Sequence, residues 1–297
     1  MAAKPEQRYM GGQAVLEGVM MRGVTTWAVA VRTPEGDVEV VTHDVPGWSE
    51  RYRAVPLLRG VMGLGESLSL GYKALTWSAN RQVPEDEQVS EKAMGWTMGI
   101  AMVIFSGLFL VLPAIAGRGL RNVIDFLPFQ ASEGVLRILI FIGYILLISR
   151  MRDIRRVFEY HGAEHKAIAA YENGVELTPH SAQRFSTAHV RCGTNFLLTV
   201  MVIAILTYSV VPSPNLLVIV SSRVVLIPVI AGLSYEVIRV SARNMHKAWV
   251  RAVMRPGLLL QRLTTREPDL DQLEVAIASL RAVMSEEQLA EVDTRAA

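Results

Sequence analysis

The residues whose types and spacing most directly imply chemistry are Tyr160-His161-Gly162-Ala163-Glu164-His165-Lys166, which contain the pattern H-x-x-E-H. On a helix, His161 and His165 lie one turn apart on the same face, so two imidazoles can hold one metal ion. Glu164 stands ~60° around the helix from His161, where it can act as a base on water polarised by that metal. A catalytic zinc has three protein ligands and one open position. His189-Val190-Arg191-Cys192 offers an imidazole and a thiolate, either of which suits zinc. The expected metal ligands are therefore His161, His165 and one or both of His189 and Cys192. Glu172 shares the helical face but lies ~10.5 Å of axial rise beyond His165, which suits a supporting partner better than a ligand. His180, beside Pro179, reads as a loop residue. Two other readings stand beside this one. The histidines can be a surface or hydrogen-bonded pair without metal. Cys192 can be a nucleophile, with His189 or His161 as base and Arg191 supplying positive charge.

Two further motifs are candidates for contact with a ligand or the metal region. In Gly11-Gly12-Gln13-Ala14-Val15-Leu16-Glu17-Gly18, followed by Arg22, the paired glycines permit close backbone approach. Glu17 and Arg22 can reach a site or form a tight turn with a buried salt bridge. Glu236, at the end of an apolar run, can be interfacial or can face a helix bundle.

The elements that must position these groups are mostly apolar helices. The 25 residues between Lys92 and Arg118 carry no formal charge, enough to cross a bilayer at ~20 residues per span, and Trp96 suits an interfacial belt. The 31 uncharged residues between Arg191 and Arg223 are broken by Pro212-Ser213-Pro214, which places a span over Thr194–Val211. Leu127–Ser149 and Leu216–Ile238 are read as spans despite their internal charges, Arg137 being able to snorkel. Four spans in two hairpins follow. Arg150, Arg152, Arg155 and Arg156 follow the second span, and Arg239, Arg243, Lys247 and Arg251 follow the fourth. By the positive-inside rule both termini and the segment 150–193 are cytoplasmic.

The expected fold is mainly α: a polytopic helical membrane protein with a small N-terminal α+β cytoplasmic part. The segments are 1–92 (a β-hairpin and an amphipathic helix), 93–149 (first transmembrane hairpin), 150–193 (candidate metal segment), 194–238 (second transmembrane hairpin) and 239–297 (C-terminal cytoplasmic helices). Thr25–Arg32 and Val38–His43 flank the turn Thr33–Asp37 as a hairpin. Residues 56–80 have helical apolar spacing, and their four glycines allow close packing, on or partly in the membrane. Thr264 and Glu267 have capping-box spacing before an apolar stripe of Leu270, Leu273, Ile277, Leu280 and Met284.

Composition agrees. With 51% hydrophobic and 20% charged residues and a positive mean hydropathy, the chain is neither disordered nor purely soluble in character. One cysteine excludes a disulfide scaffold. A net charge of +2 gives no reason to expect nucleic acid, and no phosphate-binding loop or nucleotide fingerprint is present.

Taken together, GGQAVLEGVMMRG at 11–23, YHGAEHKAIAAYENG at 160–174, HVRCGTNF at 189–196, AGLSYEVIR at 231–239 and PGLLLQRLTTREPDLDQLEVAI at 256–277 resemble the YqhQ-like family of bacterial membrane proteins. That family has unknown function and is described as comprising predicted metal-dependent enzymes. It often has proline where this chain has Val190, a change that leaves both proposed ligands in place. The resemblance implies an integral membrane protein with a metal site and names no substrate. The leading expectation is a zinc-dependent hydrolase at the inner face of the bacterial cytoplasmic membrane, with Glu164 as general base. The rival is a non-enzymatic assembly, transport or channel component with a structural metal or none; a metal-sensing regulator is a third. Histidine with cysteine favours zinc over iron or manganese. The expected partners are the lipid bilayer and an unknown substrate or membrane protein.

Overall fold

The computed structural model describes residues 10–121, 129–189, 192–210, 215–285 and 288–289. The chain opens as a four-stranded antiparallel meander of β1 (Gly11–Val15), β2 (Gly18–Arg22), β3 (Thr26–Arg32) and β4 (Val38–Asp44). The expected hairpin is β3–β4, with Val29 opposite Val41. The glycine motif before it, expected as a ligand contact or a tight turn, is a second hairpin. Gly12 pairs with Met21, and Leu16-Glu17 turns the chain with Glu17 at φ 51°.

β3 explains the layering. Its sequence, TWAVAVR, is apolar on both faces, as a central strand covered on both sides must be. Trp27, Val29 and Val31 pack with Leu70 and Ala74 of α2 (Leu58–Arg81), which follows the short α1 (Trp48–Arg51). Ala28 and Ala30 face the other way, where their small side chains admit the later helices α6 (Arg152–Glu172) and α12 (Leu270–Ala282). Ser279 of α12 donates to the Ala28 carbonyl at 3.2 Å. The soluble layer is thus not confined to the first ninety residues. Its second face comes from the middle and the end of the chain, with α7 (Pro179–Gln183) at its side.

In chain order the apolar helices come between α2 and α12. α3 (Glu91–Ser106), a π turn (Gly107–Val111) and α4 (Leu112–Arg121) run on without a break, and Glu91–Gly119, 29 residues, is long and apolar enough to cross a membrane. α5 (Phe129–Ile148) passes that test only when joined to α6, from which it turns by 101°. α8 (Gly193–Ser209) is apolar but shorter. The fourth expected span is broken: α9 (Leu216–Val225) and α10 (Ile227–Arg243) meet at 46°, with Pro228 in the first turn of α10. Their outer faces expose large apolar side chains, such as Trp96, Val103, Leu147 and Leu217. A surface of this kind needs a covering.

Two expectations are corrected inside this bundle. Arg137 does not snorkel. It is buried, donates to Glu133 at 2.6 Å and to the Phe109 carbonyl of the π turn at 3.0 Å, and Glu133 also accepts two hydrogen bonds from Arg223. Both guanidinium groups lie over the ring of Tyr208. Paired burial wins here because three helices can enclose the charges together, whereas one helix would have to send them to the surface. The second correction is at the C-terminus. Thr264 is the last residue of α11 (Ala248–Thr264), and the capping box is formed by Asp269 and Gln272. Residues 265–269 are kept extended by their passage across α6, where Arg266 N–H bonds the Phe158 carbonyl at 2.9 Å.

Candidate metal centre

α6 presents His161, Glu164 and His165 to the interior, and its middle is buried from Gly162 to Ile168. This is possible because Gly162 has no side chain. A Cβ there would stand 2.0 Å from the Arg266 carbonyl oxygen, so only glycine lets the α11–α12 connection cross so closely. The adjoining charge is neutralised locally: buried Lys166 donates to the Gln183 carbonyl at 2.7 Å and to Glu267.

Both helix-borne histidines are fixed by main-chain carbonyls. His161 Nδ1 lies 2.8 Å from the Thr264 oxygen, and His165 Nδ1 bonds the Thr187 oxygen. A carbonyl only accepts, so each Nδ1 carries a proton, and in the neutral imidazole the lone pair is on Nε2. That is the arrangement in which metal-binding imidazoles are usually held. His161 Nε2 points at Cys192 Sγ, 3.2 Å away. The rings of His161 and His165 meet edge-on, 4.5 Å between centres. One ligand atom each from His161, His165 and Cys192 lies within 4.8 Å of the other two. Tetrahedral zinc holds such atoms about 3.3–3.6 Å apart, from its ordinary bond lengths, so a small contraction fits the ion. Cys192 comes from a separate element: it is the N-cap of α8, and its sulfur accepts from Thr194 N–H at 3.4 Å.

His189 stands at the edge of this group, its ring centre 5.6 Å from that of His165. Its Nε2 lies 3.5 Å from a Glu172 carboxylate oxygen. Its main chain is clamped on both sides by Gln261, at 2.8 Å each. Glu164 is buried beside His161 and His189 and accepts from Gly12 N–H of β1; burial raises its pKa above the ordinary carboxylate value, against those three favourable contacts. Burial lowers the pKa of His165 and of His189, which favours the neutral imidazole in each.

The remaining candidates lie elsewhere. Glu17 binds Arg156 and accepts from Tyr160 Oη at 3.3 Å, on the α6 side of the sheet. Arg22 pairs with Glu66 on its α2 side. Glu236 makes a two-pronged pair with Arg59, tying α10 to α2. His180 is exposed on α7. Arg191 falls outside the described residues.

A model for the family of proteins of unknown function DUF1385 matches residues 55–286. The chain belongs to the DUF1385 family. It is also similar to the uncharacterised protein YqhQ of Bacillus subtilis (strain 168), at 33% identity over 300 residues, covering 95% of this chain and 94% of that one. No solved structure matches it.

In this DUF1385 chain four positions that serve the centre escaped the sequence reading as supports: Gly12, Thr187, Thr264 and Gln261. Three of them act through main-chain atoms, which leave no side-chain signature. Gln261 had one visible signal, an amide inside the apolar run LLLQRL.

Proposed function

We propose that this protein is a zinc-dependent hydrolase at the inner face of the bacterial cytoplasmic membrane. The observation that carries the reading is the pair of imidazoles on α6, each with Nδ1 fastened to a carbonyl and Nε2 turned toward Cys192. His161, His165 and Cys192 would hold the ion, which supplies Lewis acidity to a substrate oxygen or a water in its open position. Glu164 holds the proton in transit. Its burial favours the protonated form, and the N–H of Gly12 offsets that preference, so it can both accept and return a proton. Gly12 N–H orients the carboxyl group, and Gln261 fixes the His189 main chain at the rim.

The membrane part of the proposal takes α3–α4, α5, α8 and the broken pair α9–α10 as four spans. Glu91–Gly119 supports it by length, and α5, at 20 residues, has the ~30 Å needed at 1.5 Å per residue. The arginines after α5 and α10 favour cytoplasmic termini and a cytoplasmic metal segment.

One observation favours a structural metal instead. His189 lies close enough to His165 that a shift of its ring would add a fourth ligand and close the site, the mark of a structural zinc. Purified protein titrated with zinc, together with Glu164→Gln, separates the readings. Hydrolase chemistry requires one equivalent of zinc in both forms, with in vivo complementation lost in the variant. Full complementation by Glu164→Gln favours the structural metal. Less than a tenth of an equivalent, with no uptake on titration, overturns the metal centre.

A further inference from the structure

α11 has three faces at 100° per residue. Val250, Met254, Gly257, Gln261 and Thr264 form the buried one. Trp249, Val253 and Leu259 lie on a second face and are 66%, 65% and 47% exposed. Arg251, Arg255 and Arg262 form a third, also exposed. A soluble helix has one buried face and one polar face; here an apolar face is left over beside the basic one.

Two observations say what covers it. The first is charge. Between Glu236 and Glu267 the sequence has seven lysine or arginine residues and no aspartate or glutamate. That run matches an anionic surface, and a tryptophan beside it suits the headgroup boundary. The second is position. Gly257 lies against Asn195 in the first turn of α8, where a Cβ would come within 1.6 Å of the Asn195 side-chain oxygen. α11 therefore crosses the first turn of an apolar helix.

We infer that α11 lies in the cytoplasmic interface of the membrane, with Trp249, Val253 and Leu259 among the acyl chains and Arg255 and Arg262 on anionic headgroups. This rests on the reading of α8 as a span. It deepens the proposed function, because the Thr264 carbonyl that holds His161 is the last of this same helix. The centre is then mounted on a lipid-bound element, and its substrate class is membrane-borne.

The test uses the full chain in nanodiscs of phosphatidylcholine, alone or with phosphatidylglycerol, carrying lipids brominated near the headgroup or deep in the chain. Subtracting the Trp249→Phe variant isolates Trp249, and Trp96→Phe isolates Trp96 of α3. The expected result is that Trp249 is quenched more by shallow than by deep bromines, and more with phosphatidylglycerol present. Arg255→Gln with Arg262→Gln should remove that anionic increment. Trp96 quenched with Trp249 unquenched overturns the inference and leaves the spans standing. Quenching of neither brings down the span reading as well. An unquenched Trp249 that cross-links to a second copy assigns the face to a protein interface, which also overturns it. Equal quenching in both lipid mixtures overturns the anionic assignment.

Discussion

Replacing Gly162 by alanine tests the centre without touching a ligand. The new Cβ would stand 2.0 Å from the Arg266 carbonyl oxygen, and real Cβ atoms essentially never come under 3.0 Å. The crossing segment must therefore withdraw by about 1 Å, the difference between those two distances. The oxygen belongs to backbone, so no side-chain rotation relieves the clash. Two hydrogen bonds sit on the same short stretch: Arg266 N–H to Phe158, and His161 Nδ1 to the Thr264 oxygen. Overpacking of this kind costs ~1–3 kcal/mol, a fall of roughly 2–10 °C in melting temperature for a chain of this size. Loss of the carbonyl that orients a ligating imidazole should weaken zinc by about 10–100-fold. The assays are thermal unfolding of the metal-free protein and zinc competition against a chromogenic chelator. A variant within ~0.5 kcal/mol of the parent and within twofold in zinc affinity would refute the argument that the crossing segment sets the His161 ring.

Other outcomes follow from the same contacts. Cys192 is the single cysteine, so alkylation reads it alone; zinc should slow the reaction by about tenfold or more, and a chelator should restore the rate. Burial lowers the pKa of the ligand His165, so zinc should hold that imidazole to more acid pH than an ordinary one of pKa ~6.5 allows, because the competing proton binds it less well. Glu133→Ala leaves Arg137 and Arg223 buried without their shared carboxylate and should cost ~3–5 kcal/mol, read as lost yield and melting temperature, whereas leucine or methionine at all three positions should recover much of it. Burial alone would raise the pKa of Glu66, but Ser49, Arg22 and Trp48 N–H together depress it. Its stabilisation is complete above the ordinary carboxylate value of ~4.3 and is lost as pH falls through the lower folded value. Arg22→Leu with Ser49→Ala should therefore move acid unfolding to higher pH.

How much was legible follows from the type of signal. β3, β4 and α2 were readable because turn residues and apolar periodicity are local. The α6 pair His161 and His165 was readable for the same reason, since one helical turn is a sequence interval. Cys192 needed its neighbour His189 to draw attention, and only the fold brings its sulfur to His161. The β1–β2 hairpin was missed because its glycines and short strands look like loop. The enclosure of Arg137 was missed because Arg223, which shares its partner Glu133, lies 86 positions away, the difference of their residue numbers. Glu164's contact with Gly12 spans 152 positions by the same subtraction, and no periodicity reports such a contact.

That long reach sets an order of events during synthesis. Gly12 leaves the ribosome 252 positions ahead of Thr264, the difference of their residue numbers, and the α12 cover over the sheet follows later still. Chains emerge N-terminus first, and domains fold as their residues become available. The early strands must wait, with the Ala28 face open, while the apolar helices are made. The centre then forms only when β1 and the end of α11 meet around α6. A nascent or C-terminally truncated chain would carry both histidines and Cys192 and still lack the carbonyl that orients His161. Under the proposed function, metal loading would then be a late checkpoint, passed only once α11 has been made.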